Sequence, residues 1–382
     1  MWKQLILKHC PVLTKILQVY ASQNKDATFL SDVSGDSFTK NEVDEMENAI
    51  VKTVYDWCGQ TIERNDLEVI GCGSIGRVYR YDKVVFKVKI PGIVEKIHTN
   101  YFWLRPIFHV VDFLTNSEYH LIKRGTTFME NICKQYDFIS EATNLQKYQK
   151  NLLKYNFQME EICTPVVIPE LCNNDVICME YIEGTEMYKM NDLPLNVVDT
   201  FLRFAFANTV LFERMHLDLH GGNILLREDK QIVIIDFGMT QERLEKKYVM
   251  VFLNIIDAMI HQDVDRLATN FARTFFIDPE NTKDVLTHSK EYFDDLYFNM
   301  VHAYYIHGSE TMTASDLAVI MWRYAIDPWT LSHDVYSTNT LSALETVTIH
   351  ILKFIEKQNE ENKQILEPRL KKYIRDLLDV CL

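Results

Sequence analysis

Glycine and proline are scarce in the sequence, with 12 and 9 among 382 residues. The chain also lacks internal repeats and low-complexity tracts, so we expect no long flexible linker. The eight cysteines are scattered and never stand in a C-x-x-C spacing. This distribution argues against a zinc site or a redox pair and favours a reducing compartment.

Long runs of positive charge or of apolar residues are missing as well. The formal net charge is −14. Nucleic-acid binding needs clustered lysine and arginine, so we expect no nucleic-acid partner. The most apolar helical stretch, Tyr248 to Ile260, is shorter than the roughly 20 residues of a membrane span and contains Asn254 and Asp257. We therefore expect no transmembrane segment.

The N-terminal stretch MWKQLILKHCPVL does not look like a signal or transit peptide, since its apolar run is short and no small-residue cleavage site follows. The sequence thus predicts a cytoplasmic location or an intracellular one at the membrane periphery. Apolar residues at helical spacing favour either a helix packed on its own protein or a peripheral membrane contact. These residues are Trp2, Leu5, Ile6, Leu13, Ile16 and Leu17.

The apolar content of 47% can form substantial cores, and the length favours two lobes plus an extension. A helix is predicted from Glu42 to Trp57, where apolar residues recur at helical steps. Helical patterns also fill Ile93 to Tyr155, Leu195 to Arg214 and the chain after Met239. Strands are predicted at Leu67–Ile70, Arg77–Tyr81, Val84–Ile90, Val166–Ile168 and Val176–Tyr181.

Between Arg214 and Met239 stand two polar sites that phosphoryl transfer from ATP requires. Asp218 is followed five residues later by Asn223, and Asp-Phe-Gly occupies 236–238 after two short apolar runs. This pattern is typical of a kinase catalytic loop and a magnesium-binding D-F-G segment. We predict that Asp218 orients or deprotonates the attacking hydroxyl and that Asn223 and Asp236 bind Mg²⁺ on ATP.

A G-x-G-x-x-G pattern is formed by Gly71, Gly73 and Gly76. A dinucleotide site would open a helix at this point, whereas a strand-like run follows here. We therefore predict a kinase-type loop that includes Ser74 and covers the phosphates with its backbone amides. Lys87 comes next on an alternating strand and is predicted to bind the α- and β-phosphates.

A lysine held in such a site needs an anionic partner, because an uncompensated buried charge is costly. Glu141, in a helical pattern upstream of the second strand pair, is the predicted partner. The Glu180 carbonyl and the Ile182 N–H are predicted to bind the adenine edge, with Met179 behind the ring. 

Two histidines in the catalytic stretch, His216 and His220, are four residues apart. On a helix they would suit a metal ion. Their position inside the predicted catalytic loop instead favours bracing of the backbone.

Several segments resemble motifs of the UbiB/ADCK atypical kinases, also called the ABC-one family. These are a lysine-x-glycine-glutamine motif at 10–23, a lysine strand with a trailing Pro-Gly at 84–93, an E-x-D segment with the helix glutamate at 135–144, and an H-x-D-x-H-P-G-N loop at 216–223. The resemblance runs in order over residues 10 to 275. It implies an α+β, two-lobed, protein-kinase-like fold with a helical extension at 1–60, an N-lobe with a helical insertion at 61–182, and a helical C-lobe at 183–382.

In that family the N-terminal lysine motif folds back over the active site and obstructs protein substrates. The resemblance places Lys15 and Gln18 near Asp137 as regulatory residues. Three departures from the family pattern cluster there: Leu17 for the motif glycine, Gln135 for the acidic residue of E-x-D, and Gly71 with Gly73 for alanines. These departures predict weaker self-inhibition than the family usually has. The alternative is sequence drift in a divergent family member whose regulation has moved to another part of the protein.

The sequence as a whole predicts an ATP- and Mg²⁺-dependent phosphotransferase or ATPase. The resemblance adds a link to ubiquinone and other isoprenoid-lipid metabolism. Two alternatives stay open: a catalytically idle nucleotide-binding regulator, and a small-molecule kinase, since aminoglycoside and choline kinases use a similar catalytic loop. Protein, lipid and small-molecule acceptors are all compatible with these motifs.

Overall fold

The computed structural model describes residues 38–72, 75–114, 136–190, 193–243, 246–260, 351, 354–355 and 358–381. The described residues fall into two compact units. The first lies within Met1–Lys154, Cys163–Gly184 and Val233–Met239. The second lies within Tyr155–Ile162, Thr185–Ile232 and Thr240–Leu382.

The described chain contains both helices and strands. The helices are α1 Lys40–Cys58, α2 Ile93–Leu114, α3 Phe138–Lys154, α4 Leu195–Val210, α5 Lys246–Ile260 and α6 Glu360–Cys381. The strands are β1 Glu68–Cys72, β2 Gly76–Tyr81, β3 Val84–Lys89, β4 Ile162–Cys163, β5 Val176–Glu180, β6 Thr185–Glu186, β7 Arg214–His216, β8 Ile224–Leu226, β9 Ile232–Ile234 and β10 Thr240–Glu242. Short 3₁₀ turns lie at Arg64–Asp66, Pro169–Leu171 and Met187–Lys189.

The first unit is organised by an antiparallel sheet in the order β1-β2-β3-β5. A two-residue turn at 82–83 joins β2 to β3, with Asp82 in the left-handed region at a φ of 50°. Strand β3 lies between two neighbours, so Lys87 is opposite Val78 on one side and Ile177 on the other. This central position holds the lysine backbone on both edges.

Helix α1 covers this sheet with one apolar stripe. Thr39 and Glu42 form a capping box at its start, and Gly59 ends it in the left-handed conformation at a φ of 69°. The buried core between helix and sheet comprises Met46, Ile50, Val54, Ile62, Tyr79, Phe86, Val88, Leu171, Val176 and Cys178. The sheet that carries Lys87 is therefore backed by a packed helix.

The second unit is built around α4, which is apolar on nearly every side and buried. Helix α6 packs against α4 and α5. The Tyr373 hydroxyl donates to Asp199 Oδ2 at 3.0 Å, and the Arg369 guanidinium lies 3.3 Å from Asp199 Oδ1. Strand β7 pairs antiparallel with β10.

Most predicted elements of the described chain agree with these bounds, and three predictions were wrong. The strand predicted at Val166–Ile168 is only an isolated bridge between Val167 and Met179. The helix predicted to reach Arg214 ends at Val210, because Arg214 begins β7. The helical pattern predicted after Met239 is interrupted at once by β10. The helices predicted between 261 and 350 lie outside the described residues.

Candidate active site

The Lys87 side chain lies in the first unit between two carboxylates. Its Nζ is 2.8 Å from Glu141 Oε1, 3.1 Å from Glu141 Oε2 and 3.1 Å from Asp236 Oδ1. Only 10% of the lysine side chain and 2% of the glutamate side chain are exposed, whereas Asp236 is 42% exposed. The structure thus brings together three residues that the sequence assigned to the phosphates, the lysine partner and the metal. We call Lys87, Glu141 and Asp236 the ion triad.

Glu141 reaches this position from the first turn of α3. Asp137 precedes the helix, and its Oδ1 accepts the Ser140 N–H at 2.9 Å while its carbonyl accepts the Glu141 N–H at 2.9 Å. These bonds are those of an N-cap residue. Asp137 therefore determines where α3 begins, one turn before the glutamate that bonds Lys87.

Asp236 enters the triad through an unusual backbone conformation. Its φ is 60°, a region that non-glycine residues rarely adopt. Its Oδ1 also accepts the Gly238 N–H at 3.2 Å, which ties the carboxylate to the following turn. A Cβ added at Gly238 would lie 3.3 Å from Asp236 Oδ1 and 3.3 Å from Glu141 Oε2. Glycine at 238 lets the chain pass close to both carboxylates.

Phe237, between these two residues, is fully buried and packs on α3. Its ring centroid lies 4.7 Å from that of Tyr148, which is also fully buried. The Phe237 backbone N–H bonds the Glu141 carboxylate. The segment 236–238 is thus fixed to α3 by an aromatic contact and a hydrogen bond.

The charges of the triad influence one another strongly. Burial alone would lower the pKa of Lys87, but the Asp236 and Glu141 carboxylates raise that pKa above its ordinary value. Burial raises the pKa of Glu141, and the Asp236 charge adds to this effect, while the Lys87 ammonium and the Phe237 N–H oppose it. Two carboxylates around one ammonium give an acidic site that an additional cation would stabilise.

The second unit contains Asp218 and Asn223. The Asn223 Nδ2 donates to the Asp218 carbonyl at 3.0 Å and to Asp218 Oδ2 at 3.3 Å. The His216 Nδ1 accepts the Asp218 N–H at 3.0 Å, and the His220 Nδ1 accepts the Gly222 N–H at 3.0 Å. Both histidines therefore bond backbone groups of the loop. The backbone of Asp218 is held at its N–H and at its carbonyl.

The predicted glycine loop is only partly within the described residues, since Gly73 and Ser74 lie outside them. Gly71 is in β1, and Gly76 is the first residue of β2. A Cβ at Gly76 would lie 2.4 Å from the Val88 carbonyl oxygen. This glycine is therefore required by the close pairing of β2 with β3, independently of any nucleotide.

The predicted adenine contacts lie at the end of β5. The Tyr181 N–H donates to the Lys83 carbonyl at 2.8 Å, which makes the adjacent Glu180–Val84 pair one of the non-hydrogen-bonded kind. The Glu180 carbonyl is thus directed away from β3. In the part of the chain that the structure describes, the Ile182 N–H makes no hydrogen bond. Met179 is buried at 9% exposure.

Of the predicted regulatory residues, only Asp137 is described. Lys15, Gln18 and Gln135 lie outside the described residues. Sequence reasoning missed the capping role of Asp137, although an acidic residue just before a helical pattern is a known start signal. It also missed Tyr148 and the buried Asn208 of α4, whose only sequence signal is a lone amide within the apolar run FAFANTV.

Among the described residues, no group of three or more histidine, cysteine, aspartate and glutamate side chains is arranged to hold a metal ion. Within the same residues, no helix has both the length and the apolar composition that crossing a membrane demands.

Comparison with known proteins places the chain in a family. The ABC1 atypical kinase-like domain matches residues 35–271. The chain is 24% identical over 245 residues to Protein ACTIVITY OF BC1 COMPLEX KINASE 3, chloroplastic, of Arabidopsis thaliana, covering 60% of this chain and 33% of that protein. An uncharacterised aarF domain-containing chloroplastic protein kinase of Arabidopsis thaliana is 27% identical over 226 residues, covering 58% and 32%. The chain thus spans about a third of the length of these relatives.

Among solved structures, the complex of Rv3197 with erythromycin from Mycobacterium tuberculosis is similar over 90% of this chain and 97% of that one, with 16% identity and a TM-score of 0.43. The family domain covers well over half of the 382 residues and includes Lys87, Glu141, Asp218 and Asp236. The chain belongs to the ABC1 atypical kinase-like family.

Proposed function

We propose that the chain is an ATP- and Mg²⁺-dependent phosphotransferase or ATPase. The observation that supports this most is the ion triad, in which Lys87 Nζ is held at 2.8 Å from Glu141 and 3.1 Å from Asp236. A lysine held between one buried and one exposed carboxylate can bind phosphate oxygens with a charge-assisted hydrogen bond. Glu141 would keep the ammonium in place when the phosphates of ATP arrive.

The residues proposed for Mg²⁺ have the donor atoms that this cation prefers. Asp236 offers a carboxylate that is 42% exposed. The Asn223 amide N donates to Asp218, so its carbonyl oxygen is the atom left for a metal. Carboxylate and amide oxygens are hard ligands suited to Mg²⁺. When bound, the ion would offset negative charge on the phosphates.

Asp218 would act as the base for the acceptor hydroxyl or water. Its side chain is 26% exposed, so it is accessible to an incoming group. Its Oδ2 already accepts from Asn223 at 3.3 Å, which leaves Oδ1 to take the proton of the attacking O–H. The acceptor oxygen then bonds the transferred phosphorus, and ADP leaves with the former bridging oxygen.

Nucleotide binding would involve two further segments. The Glu180 carbonyl and the Ile182 N–H would pair with the adenine edge, and Met179 would lie behind the ring. The loop of Gly71, Gly73, Ser74 and Gly76 would cover the phosphates. The Glu180 carbonyl is directed away from β3, which supports the adenine assignment.

The regulation and the pathway are proposed from the family alone. The proposed self-inhibitory contact is formed by Lys15, Gln18, Gln135 and Asp137, and it is weakened by the departures from the family pattern, which include the loop glycines. Restoring a family-like alanine in Gly73→Ala should therefore strengthen self-inhibition and lower autophosphorylation. An unchanged or higher level of autophosphorylation in the variant would contradict this.

A role in ubiquinone or other isoprenoid-lipid metabolism predicts altered quinone precursors in a deletion strain, and an unchanged lipid profile would remove that assignment.

Steady-state ATP hydrolysis by wild type and Asp218→Asn tests the proposed activity. We expect turnover by the wild type and a loss of roughly 100-fold or more in the variant, because general base catalysis contributes that much. Equal background rates with intact nucleotide binding would favour an idle regulator. Turnover that depends on an added small alcohol would favour a small-molecule kinase.

A further inference from the structure

Asn208 is a fully buried amide in α4, a helix whose other buried side chains are almost all apolar. A buried polar group is unfavourable unless its hydrogen bonds are made inside the protein. Asparagine also has a low intrinsic preference for helix interiors. Its presence there calls for specific partners.

Two of its hydrogen bonds go to one residue of β7. The Asn208 Oδ1 accepts the His216 N–H at 2.8 Å, and the Asn208 Nδ2 donates to the His216 carbonyl at 3.2 Å. The amide thus makes the two bonds that a neighbouring strand would make. On its other edge β7 pairs with β10, where Thr240 is opposite His216. The backbone of His216 is fixed between a helix side chain and a strand.

The fixed histidine is in turn bonded to the proposed base. His216 is fully buried, and its Nδ1 accepts the Asp218 N–H at 3.0 Å. Asn208, His216 and Asp218 form a short chain of hydrogen bonds that runs from the buried helix to the loop. A shift of the first member would displace the last.

We infer that Asn208 is a positioning residue that sets the Asp218 backbone through His216. The inference rests on the proposed role of Asp218 as the base. Asn208 would have no contact with ATP or the acceptor, and its loss would leave the ion triad unchanged. Its removal should therefore reduce turnover at saturating nucleotide more than nucleotide binding.

The test compares Asn208→Leu with Thr209→Val in the full chain. Thr209 is the matched control because it is equally buried, and among the described residues its hydroxyl bonds only the Ala205 carbonyl of its own helix, at 2.9 Å. For Asn208→Leu we expect kcat for Mg·ATP hydrolysis to fall by about 10- to 100-fold, because small misplacements of reacting groups slow a reaction by such factors. The Kd for Mg·ATP should be unchanged. Thr209→Val should keep both constants.

Hydrogen exchange of the backbone amides of 216 and 218 provides a readout independent of activity. Exchange should accelerate in Asn208→Leu and stay slow in Thr209→Val. If the wild type hydrolyses ATP and Asn208→Leu has the same kcat and the same exchange rates as the wild type, the inference is wrong. If the wild type hydrolyses no ATP, the proposed function fails, while the exchange rates still decide whether Asn208 sets the loop. Asn208→Ser, too short to reach both His216 groups, replaces Asn208→Leu if the latter does not fold, with the same expected direction.

Discussion

At the scale of single residues, the main feature of the ion triad is the balance of the Lys87 charge by two carboxylates. Lys87 is nearly buried, and a buried ammonium without partners would cost several kcal/mol. Two carboxylates at 2.8 and 3.1 Å remove that penalty and raise the pKa of the lysine, so Lys87 stays charged at neutral pH. Asp236 is the more exposed of the two carboxylates. An exposed carboxylate beside the lysine fits the proposed Mg²⁺ site.

Gly238 gives a residue-scale test of this geometry. In Gly238→Ala the new Cβ would press on both triad carboxylates at 3.3 Å, so we expect ATP turnover to fall by about tenfold. Gly92→Ala is the contrast, because its Cβ would meet nothing within 4 Å although its φ is 65°. It should lose about 1 kcal/mol of stability with turnover intact. Equal turnover in Gly238→Ala and wild type would contradict the proposed closeness.

At the scale of elements, the start of α3 sets the position of Glu141, the residue that bonds Lys87. Asp137 caps this helix, and Glu141 follows one turn later. Asp137→Ala should lower the free energy of unfolding by about 1 kcal/mol and reduce ATP turnover. Asp137→Asn retains the capping oxygen and should resemble wild type in thermal denaturation and turnover. If Asn behaves like Ala, the charge of Asp137 matters rather than its cap.

Helix α1 provides a pH test. Burial would raise the pKa of Glu42, but its bonds to Lys96 and Thr39 outweigh burial and lower that pKa. A lowered pKa contributes stability above the ordinary value of 4.5, and this contribution is lost as pH falls through the folded-state pKa. In urea denaturation at pH 7, the free energy of unfolding should be about 0.5 to 1 kcal/mol higher for wild type than for Glu42→Gln. This difference should shrink below about pH 4.

Glu45→Gln, exposed in the same helix, is the control for this measurement. It should show no such pH-dependent difference from wild type. A constant difference between wild type and Glu42→Gln from pH 7 to pH 3.5 would contradict the role of the Glu42 charge.

The sequence allowed different elements to be predicted to different degrees. Strands β2 and β3 have strong local alternation and a two-residue turn, so their bounds were predicted nearly to the residue. Strands β7 and β10 have three residues each and depend on one another across the D-F-G segment. Local periodicity contains no information on such a pairing. For the same reason the bond between Asn208 and His216 was not predictable.

At the scale of the whole molecule, order along the chain made the family recognisable. The motifs around Lys87, Glu141, Asp218 and Asp236 stand in one sequence order, and the family domain matches residues 35–271. The contacts of the C-terminal part were not predictable, since amphipathic spacing shows that a helix has an apolar face but not which partner it meets. In the structure α6 meets α4 and α5 through a buried face that includes Leu366, Leu370 and Ile374.

Calorimetric titration of the folded chain and of Asp236→Asn with Mg·ATP measures whether the ion triad binds a metal-chelated nucleotide. We expect saturable binding by wild type that requires Mg²⁺, and binding at least tenfold weaker in Asp236→Asn, because the variant loses a proposed metal ligand and a partner of Lys87. Binding of equal strength in the two proteins, or no binding by folded wild type, would contradict it.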